Sequence, residues 1–358
     1  MTQLASVSLA HGPSRSLGDV MRLHNGLGPG FDTLRLALSL GVMSVHSVTL
    51  FNGLAYFDFR EWWGYPLFLA LLPMFFGLSG FLVAGSAVRL QRTSRFMLNR
   101  GFRIIPALAV EVALSALVLG AVVTTLPLGE YYLHPQFWAY FQNIVGVIHF
   151  ELQGVFQANV FPNTVNGNLW TLQPEYYCYL LLAAAMASGL FNRRRIYLAM
   201  VALASLGLVA MDVLWSFGKP LYAVSTSVLV FCFFFGSLIY LLADRIAFDW
   251  RLAALATVGY VALSQVNGTV IVSMMLLCYV TIYLGLCKLP RMGLLHKGDY
   301  SYGIYLYGFP IQQTLSHYFP GFQPWWLTAV AAVLLTICFS VVSWHLIEKP
   351  ALALRNRF

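Results

Sequence analysis

His46 and Arg35 are the first residues in this chain whose types and spacing point to chemistry. They lie eleven positions apart in FDTLRLALSLGVMSVHS, residues 31–47, an otherwise apolar stretch. Eleven helical steps of about 100° return close to the starting face with a rise of about 16 Å, so both side chains look into one groove. A neutral imidazole can take a proton from an attacking hydroxyl, and a guanidinium can hold an oxyanion. Glu175, in NGNLWTLQPEYYCYL (166–180), opens another apolar stretch. A carboxylate there, paired with His46, can fix the ring tautomer that leaves one nitrogen free as a base. In RTSRFMLNRGFRIIP (92–106), Arg100 and Arg103 form an R-x-x-R pair. Three residues apart on a helix, two guanidiniums share a face and can fork onto phosphate oxygens.

Each of these residues also has a plainer reading. A lone histidine in a span can be a hydrogen-bonded packing residue. Glu175 follows Pro174, and an acid in a first helical turn is favoured by the helix dipole. Basic residues beside a span set topology or bind anionic lipid, which accounts for Arg89, Arg92 and Arg95 and competes for Arg100 and Arg103.

The elements that must position these groups are membrane-spanning helices. Of 358 residues, 59% are hydrophobic and 9% charged, against about a quarter charged in soluble domains. Nine Trp and nineteen Tyr suit helix ends anchored at headgroup level. The formal charge of +8 does not indicate a nucleic-acid partner, because the basic residues fall between apolar segments rather than in one patch. Apolar windows long enough to span run near 32–51, 66–88, 105–128, 169–190, 196–215, 222–243, 250–267, 269–288, 300–318 and 325–347. The amphipathic segment 137–150 is too short to cross and is expected at the interface or as a re-entrant piece.

With the N-terminus inside, most Arg and Lys fall on inner segments, including Arg35, Arg100, Arg103 and Arg193 to Arg195, while Arg60 and Lys219 alone fall outside. The positive-inside rule then predicts an all-α, polytopic membrane bundle of about ten transmembrane helices with both termini cytoplasmic. The expected division is a cytoplasmic segment 1–30, a transmembrane domain 31–350 and a cytoplasmic tail 351–358. No removable signal peptide or appended soluble domain is expected. The five cysteines lack metal-ligand spacing and read as small buried hydrophobes, and no metal is expected.

At this point the residues resemble the acyltransferase-3 family of bacterial membrane O-acyltransferases, over about residues 31–350. The first stretch is similar to the family's R-x10-H helix. MFFGLSGFLVAGS (74–86), LNRGFRIIPAL (98–108) and NLWTLQPEYYCYL (168–180) resemble its next three motifs, and DYSYGIYLYGFPIQQ (299–313) with IEKP (347–350) resembles its closing signatures. The resemblance implies that His46 and Arg35 are needed for activity, that Arg100 and Arg103 are the family's arginine pair, and that Glu175 is its fourth-span acid. Gly308 stands where many relatives have histidine, which leaves His46 as the base.

The implied activity moves an acetyl-type group from acetyl-CoA to a glycan or lipid-linked saccharide at the bacterial inner membrane. Exopolysaccharide is the favoured acceptor, membrane lipids surround the enzyme, and polysaccharide biosynthesis proteins are candidate partners. Arg35, Arg100 and Arg103 would hold the donor phosphates while the thioester arm runs toward His46. Direct transfer and an acyl-histidine relay use the same residues. Tyr302, Tyr305 and Asn168 are candidate oxyanion donors, and Glu111 and Asp212 have no assigned role. Two other readings stay open: a non-catalytic transporter or flippase of glycan precursors, and the separate membrane-bound O-acyltransferase group.

Overall fold

The computed structural model describes residues 15–24, 26, 28–52, 64–215, 224–290, 293, 298–321 and 324–355. Arg60 and Lys219, used above to orient the chain, lie outside the described residues, as do Arg291, Lys297 and Arg357.

Helices dominate, because a backbone in hydrocarbon must satisfy its own polar groups. A short α1 (Leu17–Leu23) precedes α2 (Phe31–Asn52), α3 (Tyr65–Leu90) and α4 (Thr93–Ala113). A π-helical turn (Leu114–Leu119) carries α4 into α5 (Gly120–Val123). Two small helices, α6 (Leu128–Leu133) and α7 (Pro135–Tyr140), and a 3-10 turn (Phe141–Val145) follow. A second 3-10 turn (Gly167–Thr171) opens α8 (Leu172–Ala187), followed by α9 (Arg194–Trp215), α10 (Thr226–Leu241), α11 (Trp250–Leu263) and α12 (Val270–Leu286). The chain ends in α13 (Ser301–Tyr318), α14 (Trp325–Ser343), a π turn (Trp344–Glu348) and α15 (Lys349–Leu354).

Every apolar window read from the sequence falls on one of these helices. Five of them (31–51, 65–90, 93–123, 194–214 and 325–354) are long and apolar enough to cross a membrane, and α10, α11 and α12 are shorter apolar helices. The outward faces match that solvent. Leu203 and Leu206 on α9, Leu255 and Val258 on α11, and Leu334 and Val342 on α14 are all well exposed. Such apolar surface is an aggregation liability in water and the ordinary contact in lipid. The third helix starts at Thr93 rather than 105. The arginine-rich segment is helical too, since its charge marks a membrane boundary and leaves helix propensity intact.

Small residues bring α3 against α10. A Cβ on Gly80 would collide with the Phe233 carbonyl oxygen, and one on Gly236 with that of Gly77. On the other side, α13 packs on α2 and α14. Gln312 of α13 donates to the Met43 carbonyl (2.7 Å) and the Ser47 hydroxyl (2.6 Å) of α2. Segment 137–150 forms α7, the 3-10 turn and an extended run. Asn143 pins it by donating to the Tyr140 and His149 carbonyls and accepting from the His149 amide.

Two acids without a reading from the sequence acquire structural ones. Glu111, 1% exposed, accepts from Ser115 and from Asn166, each at 2.9 Å. Asp212 accepts from the Ile271 amide at 3.0 Å, one of the free donors in the first turn of α12. At the opposite end of the chain, Ser16 and Asp19 close a capping box on α1. Asp19 is held down to about 2 chiefly by the Ser16 backbone and hydroxyl hydrogen bonds. Of the cysteines, Cys178, Cys232 and Cys278 are buried as expected, whereas Cys287 is half-buried and Cys338 exposed. Cys338 sits on an outward face of α14, where lipid is the neighbour.

Candidate functional site

Helices α2, α3, α4, α8 and α13 enclose two adjoining cavities. The inner one, about 180 Å³, is lined by Arg35, Arg100, Arg103, Ser79, Glu175, Tyr179 and Tyr302 among others. The outer one, about 170 Å³, is lined by His46 with Val42, Val45, Phe68, Leu71, Trp170 and Val224. Leu72 and Tyr305 line both. Arg35 and His46, eleven positions apart on α2, therefore line two neighbouring cavities that share Leu72 and Tyr305 in their walls.

The inner chamber is a charge network. Asp299, just ahead of α13, accepts from Arg103 at 2.7 Å and pairs with Arg35 at 3.3 Å. Arg35 also pairs with Asp32, and Arg103 reaches Glu348 at 3.5 Å. Burial opposes the ionised form of Asp299. The guanidiniums of Arg103 and Arg35 and hydrogen bonds from Ser301 outweigh it and hold the carboxyl below its ordinary value. Arg103 also lies over the Tyr302 ring at 5.6 Å and Arg100 over the Tyr179 ring at 5.8 Å, geometry that attracts a cation to a π face. Arg100 forms no ion pair among the described residues, and its buried Nε has no hydrogen-bond partner there.

The expected imidazole–carboxylate pair is not formed. Glu175 accepts from Tyr179 of its own helix and faces the inner, arginine-lined chamber. Trp170, five residues earlier, is the residue that this segment presents to the His46 chamber. The 3-10 turn Gly167–Thr171 begins the element early and carries Glu175 past the histidine's level. The His46 ring meets the edge of Phe309 at 5.2 Å, and no described carboxylate forms an ion pair with it. The remaining candidates sit in the wall. The Tyr305 hydroxyl is 2.8 Å from Thr171 Oγ1, the Tyr302 hydroxyl donates to the Ile104 carbonyl at 3.1 Å, and Asn168 donates to the Tyr305 carbonyl at 2.7 Å.

Asp299 and Glu348 are the site residues that reading the sequence missed. Both lay inside quoted motifs, DYSYG and IEKP, but neither was recognised as a partner of the arginines. Glu348 is 2% exposed and sits in a π turn where Ser343 donates to it, and such turns recur at functional sites.

An imidazole in a helical membrane bundle beside a chamber of guanidiniums has the groups that acyl transfer needs, a base and anion-binding cations. The chain belongs to the acyltransferase-3 family, whose model, described as an acyltransferase domain, matches residues 29–345. It is similar to nodulation protein 10 of Rhizobium leguminosarum bv. viciae, 29% identical over 91% of this chain and 94% of that protein. It is also similar to an O-acetyl transferase of Shigella phage Sf6, 27% identical over 89% of this chain and 94% of the relative. No solved structure matches the chain.

Proposed function

We propose that the protein transfers an acetyl-type group from acyl-CoA to a hydroxyl of a cell-surface or secreted polysaccharide, with exopolysaccharide the favoured acceptor, in the bacterial inner membrane. The helices that carry the ten apolar windows all cross, the shorter ones included, and both termini face the cytoplasm. The observation that carries this reading is the pair of neighbouring chambers, one lined by arginines and one by His46, that share Leu72 and Tyr305 in their walls. An anionic donor held at the arginine end can extend its thioester toward the imidazole. The name of the phage relative, an O-acetyl transferase, supports acetyl as the group.

In this mechanism His46 is the catalytic base. It takes the proton of the acceptor hydroxyl as that oxygen attacks the thioester carbonyl. The tetrahedral intermediate collapses with cleavage of the carbon–sulfur bond, and the proton passes to the departing thiolate. Arg100, whose Nε is unsatisfied, together with Arg35 and Arg103, holds the diphosphate. Glu175 balances the charge of Arg100 instead of orienting His46. Purified protein in proteoliposomes, supplied with acetyl-CoA labelled in the acetyl group and with polysaccharide acceptor, tests the reading. Labelled glycan is the expected product, and mass spectrometry of surface glycans from producing and deleted strains identifies the acceptor. Unlabelled glycan with every candidate acceptor would overturn the assignment.

A further inference from the structure

Below the inner chamber, the turn between α3 and α4 and the residue after α15 form an open third cavity of about 400 Å³, lined by Ser86, Asn99 and the exposed Arg89, Arg95 and Arg355 among others. Its three guanidiniums come from three elements: the last turn of α3, the first turn of α4 and the residue after α15. No acid lines it, and none of the three arginines pairs with a carboxylate among the described residues. The inner chamber differs. There Arg35 and Arg103 are already engaged by Asp32, Asp299 and Glu348, and Arg100 is the guanidinium of that chamber left without an ion pair among the described residues. Like-charged guanidiniums that converge without an acid repel one another, and an anion between them relieves that repulsion.

The third cavity lies about one helical turn along α3 from the inner chamber. Leu82 and Val83 of α3 and Arg100 of α4 line the inner chamber, while Ser86 and Asn99 line the third. Four residues of helix rise about 6 Å, one turn. A ligand leaving the inner chamber toward the cytoplasm therefore meets these arginines next.

We propose that Arg89, Arg95 and Arg355 form a binding site for a phosphate monoester, namely the 3′-phosphate on the adenosine ribose of the acyl-CoA donor. This rests on the reading of acyl-CoA as donor. The diphosphate occupies the inner chamber at Arg100, and the ribose spans the turn between the two sites. A monoester carries between one and two negative charges at neutral pH and offers three acceptor oxygens, which suits guanidiniums converging from several directions. Anionic lipid headgroups share this phosphate chemistry, but they need no continuity with a passage leading to His46.

The test compares acetyl-CoA with acetyl-dephospho-CoA, which lacks only the 3′-phosphate, in matched proteoliposomes made with and without anionic lipid. For the wild type, KM should be about tenfold higher with the dephospho donor, the loss expected for one charge-assisted contact. In the Arg95→Gln/Arg355→Gln double variant the two KM values should converge, with acetyl-CoA now as weak as its dephospho form. Adenosine 3′,5′-bisphosphate should compete with acetyl-CoA in the wild type and fail to compete in the variant. Equal KM values in the wild type overturn the proposal, as does a variant that keeps the wild-type ratio. A variant that keeps the ratio but loses its dependence on anionic lipid reassigns the cavity to a headgroup. Absence of any transfer from acetyl-CoA by the wild type overturns the donor reading and this site with it.

Discussion

Leu72 of α3 and Tyr305 of α13 both line the arginine chamber and the histidine chamber. These two side chains stand between the chambers, where a thioester arm reaching from Arg100 to His46 would have to cross. Leu72→Ala widens the passage without touching a polar group. The relative rate with butyryl-CoA over acetyl-CoA should rise about tenfold, since two accommodated methylenes at about 0.8 kcal/mol each give that factor. Initial rates with the two donors check it, and an unchanged ratio would place the constriction elsewhere.

His46→Ala should lower turnover by a factor of about 10² to 10⁴, the range for loss of a general base, with abundance in the membrane unchanged. His46 contributes a ring contact to Phe309 and no ion pair among the described residues, so the fold has little to lose. Glycan acetylation at the wild-type level in that variant would remove the catalytic role.

Asp299→Asn frees Arg103 and Arg35 from a shared carboxylate. The folded carboxyl lies below its ordinary value of 3.8, so its contribution to stability is present above that pH and is lost as pH falls through the lower folded value. Thermal unfolding in detergent between pH 3 and 7 should show a wild-type midpoint that drops at the acidic end. The Asn variant should start lower at neutral pH and show a shallower acidic limb. Parallel curves would mean that another group governs the acid limb.

Glu111→Leu removes the acceptor that serves both Ser115 and Asn166. Stranding buried donors costs about 1–3 kcal/mol each, and Asn166 also braces the turn carrying Asn168 and Thr171. The variant should unfold at a clearly lower temperature, whereas Glu111→Gln, which retains an acceptor oxygen, should stay close to wild type. Equal midpoints for Leu and Gln would show that the network carries no stability.

Helix placement was legible in the sequence because a span announces itself locally: about twenty apolar residues in a row admit few other structures. The Arg35–His46 relation was legible for the same reason, since both lie on one helix and helical geometry fixes their bearing. Pairings between helices were not. Arg103 meets Asp299 across 196 positions, and nothing in either local stretch specifies the other. Glu175 shows the corresponding error: its depth was inferred from a straight helix, while the 3-10 turn ahead of α8 displaced it from His46 to the arginine chamber.

The glycines that seat α3 against α10 have a mechanical consequence. Gly80 lies against the Phe233 carbonyl and Gly236 against that of Gly77, so these two backbones interlock at successive turns and neither helix can slide or roll past the other without a clash. The opposite face of α3 carries Leu72, Phe75, Ser79 and Leu82, which line the route from arginine to histidine. That side of the chambers is therefore held in place by the α3–α10 contact, and any widening to admit a bulky thioester must come from the other helices around them: α2, α4, α8 and α13.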